Sequence, residues 1–499
     1  MNAHAQLKVG DLSPDQLEAY NGIQTWLNRG TQTKQTLSLG GYAGSGKSTV
    51  VSVLAHELLK LGPIAFCSFT GKAASVLSRK LKAAGIDTVN RIPGRKALAA
   101  MGDISPRPYC GTIHGLIYAP CDQCMVEEEY DHNHGKKCRD VGGGAAEVDD
   151  GDELGEAEWE RMRNMVGSST EDVCLACDPP PPVKREGPCH KCRGERFFRR
   201  SGLDRGYRLV VNDEASMTGD EMLRDMLSYH VPILAVGDHG QLPPVKGTGS
   251  LMKFPDLRLE KIHRQAADNP IIALSAWIRE HGDVSEDFAD GKHIQFMNKR
   301  QFDKWIVQRF PAERLGLDPA SPEGILGTVL ISWTNKQRVG LNDKVRTALG
   351  LSSDDGGQSP KKGEAMICLK NAAPVFNGMR GVLEYDAEST GSAQYPQWKT
   401  TVNFVEDGVK EENVKMADAQ LFAEKTIDYD RAQEMGLSLS RMGRLYDFGF
   451  ALTCHKMQGS QAPEVAVLLD GMKAMRKDDA TRWQYTAVTR ASDRLVLVV

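Results

Sequence analysis

Long apolar runs are absent. No stretch of the 499-residue sequence reaches the roughly 18 consecutive apolar residues that a membrane-spanning helix needs, so no membrane partner is expected. The opening residues, MNAHAQLKVG, lack the charged and apolar segments of a secretion signal, and the expectation is an intracellular, cytoplasmic chain. Net charge is nearly missing too: 62 Lys and Arg face 66 Asp and Glu, for a formal charge of −4. That excludes a globally basic nucleic-acid coat and a wholly acidic tail protein, and leaves room for local basic surfaces. No repeat of solenoid period is present.

At 40% hydrophobic and 26% charged, the chain is long enough for about three domains, each with its own core. Seven of its 11 cysteines lie between Cys121 and Cys192. In a reducing compartment such clustering argues for metal rather than disulfides. Cys67, Cys110, Cys368 and Cys454 stand outside the cluster and read as packed thiols.

Strand-like and helix-like stretches alternate from the start. A helix is expected over Pro14 to Leu27, a short strand at Leu37-Ser-Leu39, a helix over Thr49 to Leu61, and a buried strand at Ile64 to Phe69. Such alternation favours a parallel α/β sheet. Composition breaks near residue 120. Between 145 and 172 ten acids face two arginines, leaving −8; between 183 and 208 nine bases face three acids, leaving +6. The α/β pattern resumes at Tyr207, so this segment reads as an insertion. Further strands are expected at Leu209–Val211, Ile233–Val236, Thr328–Ser332, Val465–Leu469 and Leu495–Val499, with β-like pieces at 381–384 and 400–404.

Gly41-Tyr-Ala-Gly-Ser-Gly46-Lys47-Ser48 matches the phosphate-binding loop G-x-x-x-x-G-K-[ST] and sits between a strand and a helix, as that loop requires. Its glycines permit a tight turn whose N–H groups surround phosphates, and the helix N-terminus adds positive charge. Lys47 would reach the β and γ phosphates, and the Ser48 hydroxyl would ligate Mg²⁺. Gly41, Gly44, Ser45, Gly46 and Thr49 would complete the ATP cradle. A nucleotide hydrolase also needs a second metal contact and a base for water at a neighbouring strand end. Leu209-Val-Val-Asn-Asp213-Glu214 supplies both, with Asp213 for the metal and Glu214 for the water.

Gly237-Asp238-His-Gly-Gln241-Leu-Pro-Pro244 follows a strand soon after the acidic pair, and with the loop and that pair it resembles the superfamily 1 helicases of the RecD-like and Dda-like branch. It is similar to motif III of that branch, Thr70-Gly71-Lys72-Ala-Ala to motif Ia, and Thr112-Ile-His114 to the motif after it. His263-Arg264-Gln265 resembles motif IV. Trp333-Thr334-Asn335, with Arg338 and Asn342, resembles the start of the second motor domain. Thr453-Cys-His455-Lys456-Met-Gln458-Gly459-Ser460 and Tyr485-Thr-Ala-Val-Thr489-Arg490 resemble motifs V and VI. Asn212 departs from the pattern, being polar where an apolar residue usually precedes the acidic pair; it would either weaken strand packing or donate a bond to the site. Cys454 and Met457 vary at tolerant positions.

The resemblance implies two RecA-like P-loop motor domains with ATP between them. Arg264 and Arg490 would be arginine fingers, Gln241 the γ-phosphate sensor, Gln16 the reader of adenine, and Gly459 part of the nucleotide site. It also implies 5′→3′ movement on single-stranded DNA and unwinding of forked duplex. Contacts to the strand are expected from Thr70, Lys72 and His114, and from Trp333, Thr334, Asn335, His455, Lys456 and Ser460. Trp333 suits base stacking and core packing equally. The expected organisation is motor domain 1 over residues 1–119 and 206–265, interrupted by a cysteine-rich insertion at 120–205. Motor domain 2 covers 266–354 and 446–499, interrupted by a β-rich, SH3-like insertion at 355–445.

Within the first insertion, Cys121-x₂-Cys124, Cys174-x₂-Cys177 and Cys189-x₂-Cys192 are knuckle-type pairs, joined by Cys138 and His134. Eight ligands suit two tetrahedral Zn²⁺ ions: Cys121, Cys124, His134 and Cys138, then Cys174, Cys177, Cys189 and Cys192. His132 in place of His134, a crossed pairing, and an iron–sulfur cluster are alternatives. In related helicases a pin that splits the duplex emerges here, and the insertion would carry or replace it. It could also dock a replication or recombination protein. The sequence is thus read as a monomeric, ATP-dependent, 5′→3′ DNA helicase without a fused nuclease. Alternatives are an RNA helicase and a non-unwinding regulatory ATPase.

Overall fold

The computed structural model describes residues 8–90 except 32 and 61, then 107–120, 197–199, 206–244, 249–261, 269–351, 359–472 except 373 and 440, and 475–499. The chain forms two compact units, one of Met1–Ile117 with Ser201–Val499 and one of Tyr118–Arg200.

The strands in chain order are β1 (Thr36–Gly41), β2 (Ile64–Ser68), β3 (Tyr109–Thr112), β4 (Tyr118–Pro120), β5 (Phe197–Arg199), β6 (Leu209–Asp213), β7 (Ile233–Gly237) and β8 (Leu257–Leu259). Then follow β9 (Ile294–Met297), β10 (Thr328–Ser332), β11 (Ala365–Cys368), β12 (Arg380–Leu383), β13 (Glu388–Ser392), β14 (Tyr395–Phe404), β15 (Val409–Ala417), β16 (Tyr446–Phe448), β17 (Ala451–Thr453), β18 (Ala462–Leu468) and β19 (Ala491–Val498).

The first sheet has the order β3-β2-β6-β7-β1-β8, with every pair parallel. Its central strands are apolar runs such as Ile233-Leu-Ala-Val, buried on both faces because helices cover both sides. Three helices matter for the site: α1 (Pro14–Thr25), α2 (Lys47–Leu59) and α3 (Gly71–Ala83). α1 starts on a capping box between Ser13 and Gln16, with Pro14 in the first turn. The apolar spacing at 51, 54 and 58 marks α2, but the helix begins two residues earlier than that spacing suggests, at Lys47, where the glycine-rich turn ends.

A second parallel sheet has the order β17-β10-β18-β19-β9. It packs with α4 (Pro270–His281), α5 (Asn335–Ala348) and α6 (Lys477–Val488). The chain is therefore a two-domain RecA-like α/β fold. No helix among the described residues is long and apolar enough to cross a membrane.

Between β10 and β17 runs an antiparallel sheet, β13-β14-β12-β11-β16, with β15 on β14. Its closing strand, Tyr446–Phe448, lies past residue 445. Three residues before a motor strand were too few to announce a strand of their own. This sheet shares its core with the second motor domain: Phe404, Tyr446 and Phe448 pack with Leu330, Val345 and Val496. Buried arginines fasten the join. Arg380 donates to the carbonyls of Gly449, Leu326 and Thr328. Arg338 pairs with Asp447, and Arg346 Nε meets Glu364 Oε1 at 2.6 Å. Cys67, Cys110, Cys368 and Cys454 are buried thiols, and burial pushes each one up, Cys110 and Cys454 to about 12.

In the unit Tyr118–Arg200 the described elements are β4 and β5, antiparallel, with Ala119 opposite Phe198.

Arg346→Met should destabilise the chain by about 3–5 kcal/mol, because Glu364 is left fully buried without its counter-charge. Adding Glu364→Leu should recover most of that loss. Denaturant unfolding of both variants checks this.

Candidate functional site

β1 delivers Gly41 to the loop, and α2 begins at Lys47. Gly44 and Gly46 take positive φ (78° and 83°), the region where a side chain is strained. A Cβ on Gly41 would lie 2.5 Å from Ser45 Oγ, so only glycine fits where strand turns into loop. Ser45 braces the turn by donating to the Tyr42 carbonyl at 2.8 Å. Gly46, the N-cap of α2, supplies no capping side chain, which leaves the helix end suited to an anion. Lys47 Nζ folds back onto the carbonyls of Gly41 and Tyr42 at 2.5 and 3.0 Å. Gln16 is buried and donates to the Ser45 carbonyl at 3.3 Å, which ties α1 to the loop.

β7 lies between β1 and β6, so its end carries Asp238 and Gln241 between the loop and the acidic pair. Asp213 ends β6 opposite Ser68. Burial pushes its carboxyl up, against the opposing pull of Lys80 and Lys47. Glu214 is pushed up by burial and by Asp213, with Arg490 and Lys47 opposing. Glu214 also has φ of 55°, an uncommon left-handed backbone for a non-glycine residue. Ser48 and Asp213 are hard oxygen donors of the kind Mg²⁺ takes. Lys80 Nζ donates to Ser48 Oγ at 3.1 Å, so α3 reaches this point too. Gln241 Nε2 donates to Asp238 at 3.2 Å, while its buried Oε1 has no partner among the described residues. Asn212 is buried and donates to Thr218 Oγ1 at 3.0 Å, so it ties β6 to the turn behind the acidic pair.

The two motor domains meet at this point. Tyr485 Oη donates to Asp238 Oδ2 at 2.7 Å and accepts from the Ala43 amide of the phosphate loop at 2.9 Å. Leu242 N donates to Thr486 Oγ1, and Gln458 Nε2 to the Leu242 carbonyl. Arg279 stacks over Tyr42 with 3.4 Å from guanidinium carbon to ring centre, and Tyr42 lies 4.2 Å from His239. These groups border an open cleft of about 370 Å³ that also includes Lys477 and Arg482. Arg490, from the second domain, donates to the carbonyls of Thr486 and Ser460. Motif reading assigned no role to Tyr485, Lys80 or Arg279; the place of Tyr485 at the head of the motif VI segment was the one signal available.

The expected strand contacts fall into two groups. Thr70 caps α3 through Ala73 N, and Thr334 caps α5 in a box with Gln337. Gly459 has φ of 75°, and a Cβ there would lie 2.9 Å from Ala73 Cβ, so motif V abuts the start of α3. Ser460 accepts from Arg490, His114 and Asn335 are exposed, and His455 is half-buried. Trp333 is half-buried against the core of the second domain, which is the packing alternative. Lys456 donates to Asn377 at 3.2 Å, and burial pulls its ammonium down. Lys72 is buried and paired with Glu406 and Asp407. Arg264, Cys121, Cys124, His134, Cys138, Cys174, Cys177, Cys189 and Cys192 lie outside the described residues. Among the described residues no group of three or more His, Cys, Asp or Glu forms a metal cluster.

Tyr485→Phe should cost about 1.5–3 kcal/mol, since Asp238, 1% exposed, loses a charge-assisted donor. A thermal melt of the unliganded chain reads this directly.

A family model described as an AAA domain matches residues 27–247, and one described as a UvrD-like helicase C-terminal domain matches residues 448–498. An ATP-dependent RecD2 DNA helicase of Deinococcus radiodurans is 29% identical over 325 residues, covering 60% of this chain. The chain spans 38% of that relative's length. A Pif1 helicase from Candida albicans is similar over 98% of this chain and 94% of its own, at 17% identity and a TM-score of 0.44. A Bacteroides Pif1 structure aligns over 98% and 92%, at 14% identity and a TM-score of 0.42. Motifs that stood in order along the chain converge on one junction, where a phosphate loop faces an acidic pair and an arginine of a second motor domain. In its two matched regions and along the RecD2 relative, the chain is similar to superfamily 1 helicases of the RecD-like branch.

Proposed function

We propose that the chain is an ATP-dependent DNA helicase that translocates 5′→3′ on single-stranded DNA and unwinds duplex. The observation that carries the reading is the acidic pair, with Lys47 acting on it from the first motor domain and Arg490 from the second. That is the charge arrangement a phosphoryl transfer between two domains needs.

In this reading the loop amides and Lys47 bind the β and γ phosphates. Ser48 and Asp213 hold Mg²⁺, which when bound neutralises charge on the phosphate oxygens. Glu214 accepts a proton from the attacking water. Gln241 turns its free Oε1 toward that water or the γ-phosphate, and its bond to Asp238 passes the change to Tyr485. Arg490 and Arg264 meet the developing charge. Loss of the γ-phosphate releases the junction, and the two domains step relative to each other.

The strand would run over Thr70, Lys72 and His114 in one domain, and Trp333, Thr334, Asn335, His455, Lys456 and Ser460 in the other. Phosphate contacts and stacking give a grip without sequence preference. The inserted β-sheet at 355–445 is read as SH3-like. The ligand spacing of Cys121 through Cys192 with His134 supports two Zn²⁺ ions in a wedge near the fork.

Lys47→Ala should lose both ATP hydrolysis and unwinding. Glu214→Gln should keep nucleotide binding and lose turnover by at least about 100-fold. Because the Glu214 carboxyl is pushed up, its base form is lost early as pH falls, so turnover should drop already in the weakly acidic range. A steady-state pH profile reads the drop, and a flat profile there would remove Glu214 from the role of base.

Duplexes with 5′ or 3′ single-stranded tails, assayed beside metal analysis of the same sample, test direction and zinc together. Unwinding of the 5′-tailed duplex with two zinc ions per chain is expected. Equal stimulation of ATPase by RNA, or ATPase without strand separation, would point away from a DNA helicase.

A further inference from the structure

One face of α3 is built as an anion receptor, and the chain fills it with its own acid. Lys72, Ser75 and Arg79 lie at i, i+3 and i+7, hence on one side of the helix. All three converge on Asp407: Lys72 Nζ at 2.9 Å, Ser75 Oγ at 3.0 Å and Arg79 at 3.6 Å. Lys72 also pairs with Glu406 at 2.9 Å, and Arg79 donates to the Glu406 carbonyl at 2.6 Å. The Asp407 side chain is 1% exposed and that of Lys72 is 7%. Glu406 and Asp407 form the tip between the long strands β14 and β15, a single turn that ends at Gly408 with φ of 64°.

Three features set this apart from an ordinary strut. The receptor is made of an ammonium, a hydroxyl and a guanidinium, all donating, which is the set that takes phosphodiester oxygens. It starts two residues after Thr70, on the element that carries the first of the expected strand contacts. The same inserted sheet also holds Lys456, the matching lysine of the second motor domain, through Asn377. Its loop lies against α3 as well, since a Cβ on Gly71 would meet Phe376 at 2.1 Å.

We propose that the Lys72–Ser75–Arg79 face is a phosphodiester site for single-stranded DNA, and that the Glu406–Asp407 tip stands in for the strand until DNA displaces it. The proposal rests on the helicase reading and adds Ser75 and Arg79 to the track. It also makes the hairpin a competitor: every molecule with the tip seated has one phosphate site fewer, and apparent affinity falls by that fraction.

The experiment is fluorescence anisotropy of a labelled oligothymidylate, titrated at several salt concentrations, with binding of a fluorescent ATP analogue as a control for folding. Glu406→Gln with Asp407→Asn removes the tip's charge and should bind the strand about tenfold more tightly. Arg79→Ala should bind more weakly, with a salt slope shallower by about one. Arg79 is half exposed, so its variant decides the matter if the tip variant does not fold. Unchanged or weaker binding by a folded tip variant, or an Arg79→Ala chain that binds like wild type, overturns the proposal. Wild type that binds DNA while neither variant differs sinks this proposal and leaves the helicase reading standing. Wild type and variants that all ignore DNA sink the helicase reading with it.

Discussion

Two adjacent carboxylates, Asp213 and Glu214, cannot both stay ionised in a partly dehydrated crevice unless positive charge surrounds them. The surrounding charge comes from three places in the chain: Lys47 on the phosphate loop, Lys80 on α3, and, across the cleft, Arg490 with the machinery of motif VI behind it. Each of these cations must be held by its own element. The parallel sheet sets β1 and β6 at a fixed separation with β7 between them. The α3 helix reaches Ser48 through Lys80. The second domain supplies the remaining charge. Much of the architecture reads as a means of bringing these cations to one point.

The second domain brings more than an arginine. Its inserted sheet is no loosely tethered appendage, because Phe404, Tyr446 and Phe448 share a core with motor strands and three buried arginines close the seam. Motion of the second motor domain therefore carries the sheet with it. The contact of that sheet with α3 and the Tyr485–Asp238 junction therefore both join the second domain to the first.

Strands, the phosphate loop and the acidic pair were legible because each depends on local chemistry. A buried strand needs an apolar run, and a phosphate cradle needs glycines at set positions. Contacts between distant segments left no such mark. Lys72 looked like a free strand contact because its partners lie 334 and 335 residues further along. Asn212 left two readings open, and the choice depended on where the Thr218 hydroxyl fell. Tyr485 stood inside a recognised motif, yet nothing in spacing tells that its hydroxyl bridges a loop amide and a carboxylate of the other domain. Strand β16 was missed because three residues are too few to show alternation.

The pairing of β4 with β5 has a consequence for how such a chain varies over time. Pro120 lies opposite Phe197, so residues 121–196 leave and re-enter at neighbouring points. The entropic cost of closing an excursion rises by only about 0.6 kcal/mol for each doubling of its length. Material could be gained, lost or exchanged at this doorway with little penalty to the engine that carries it.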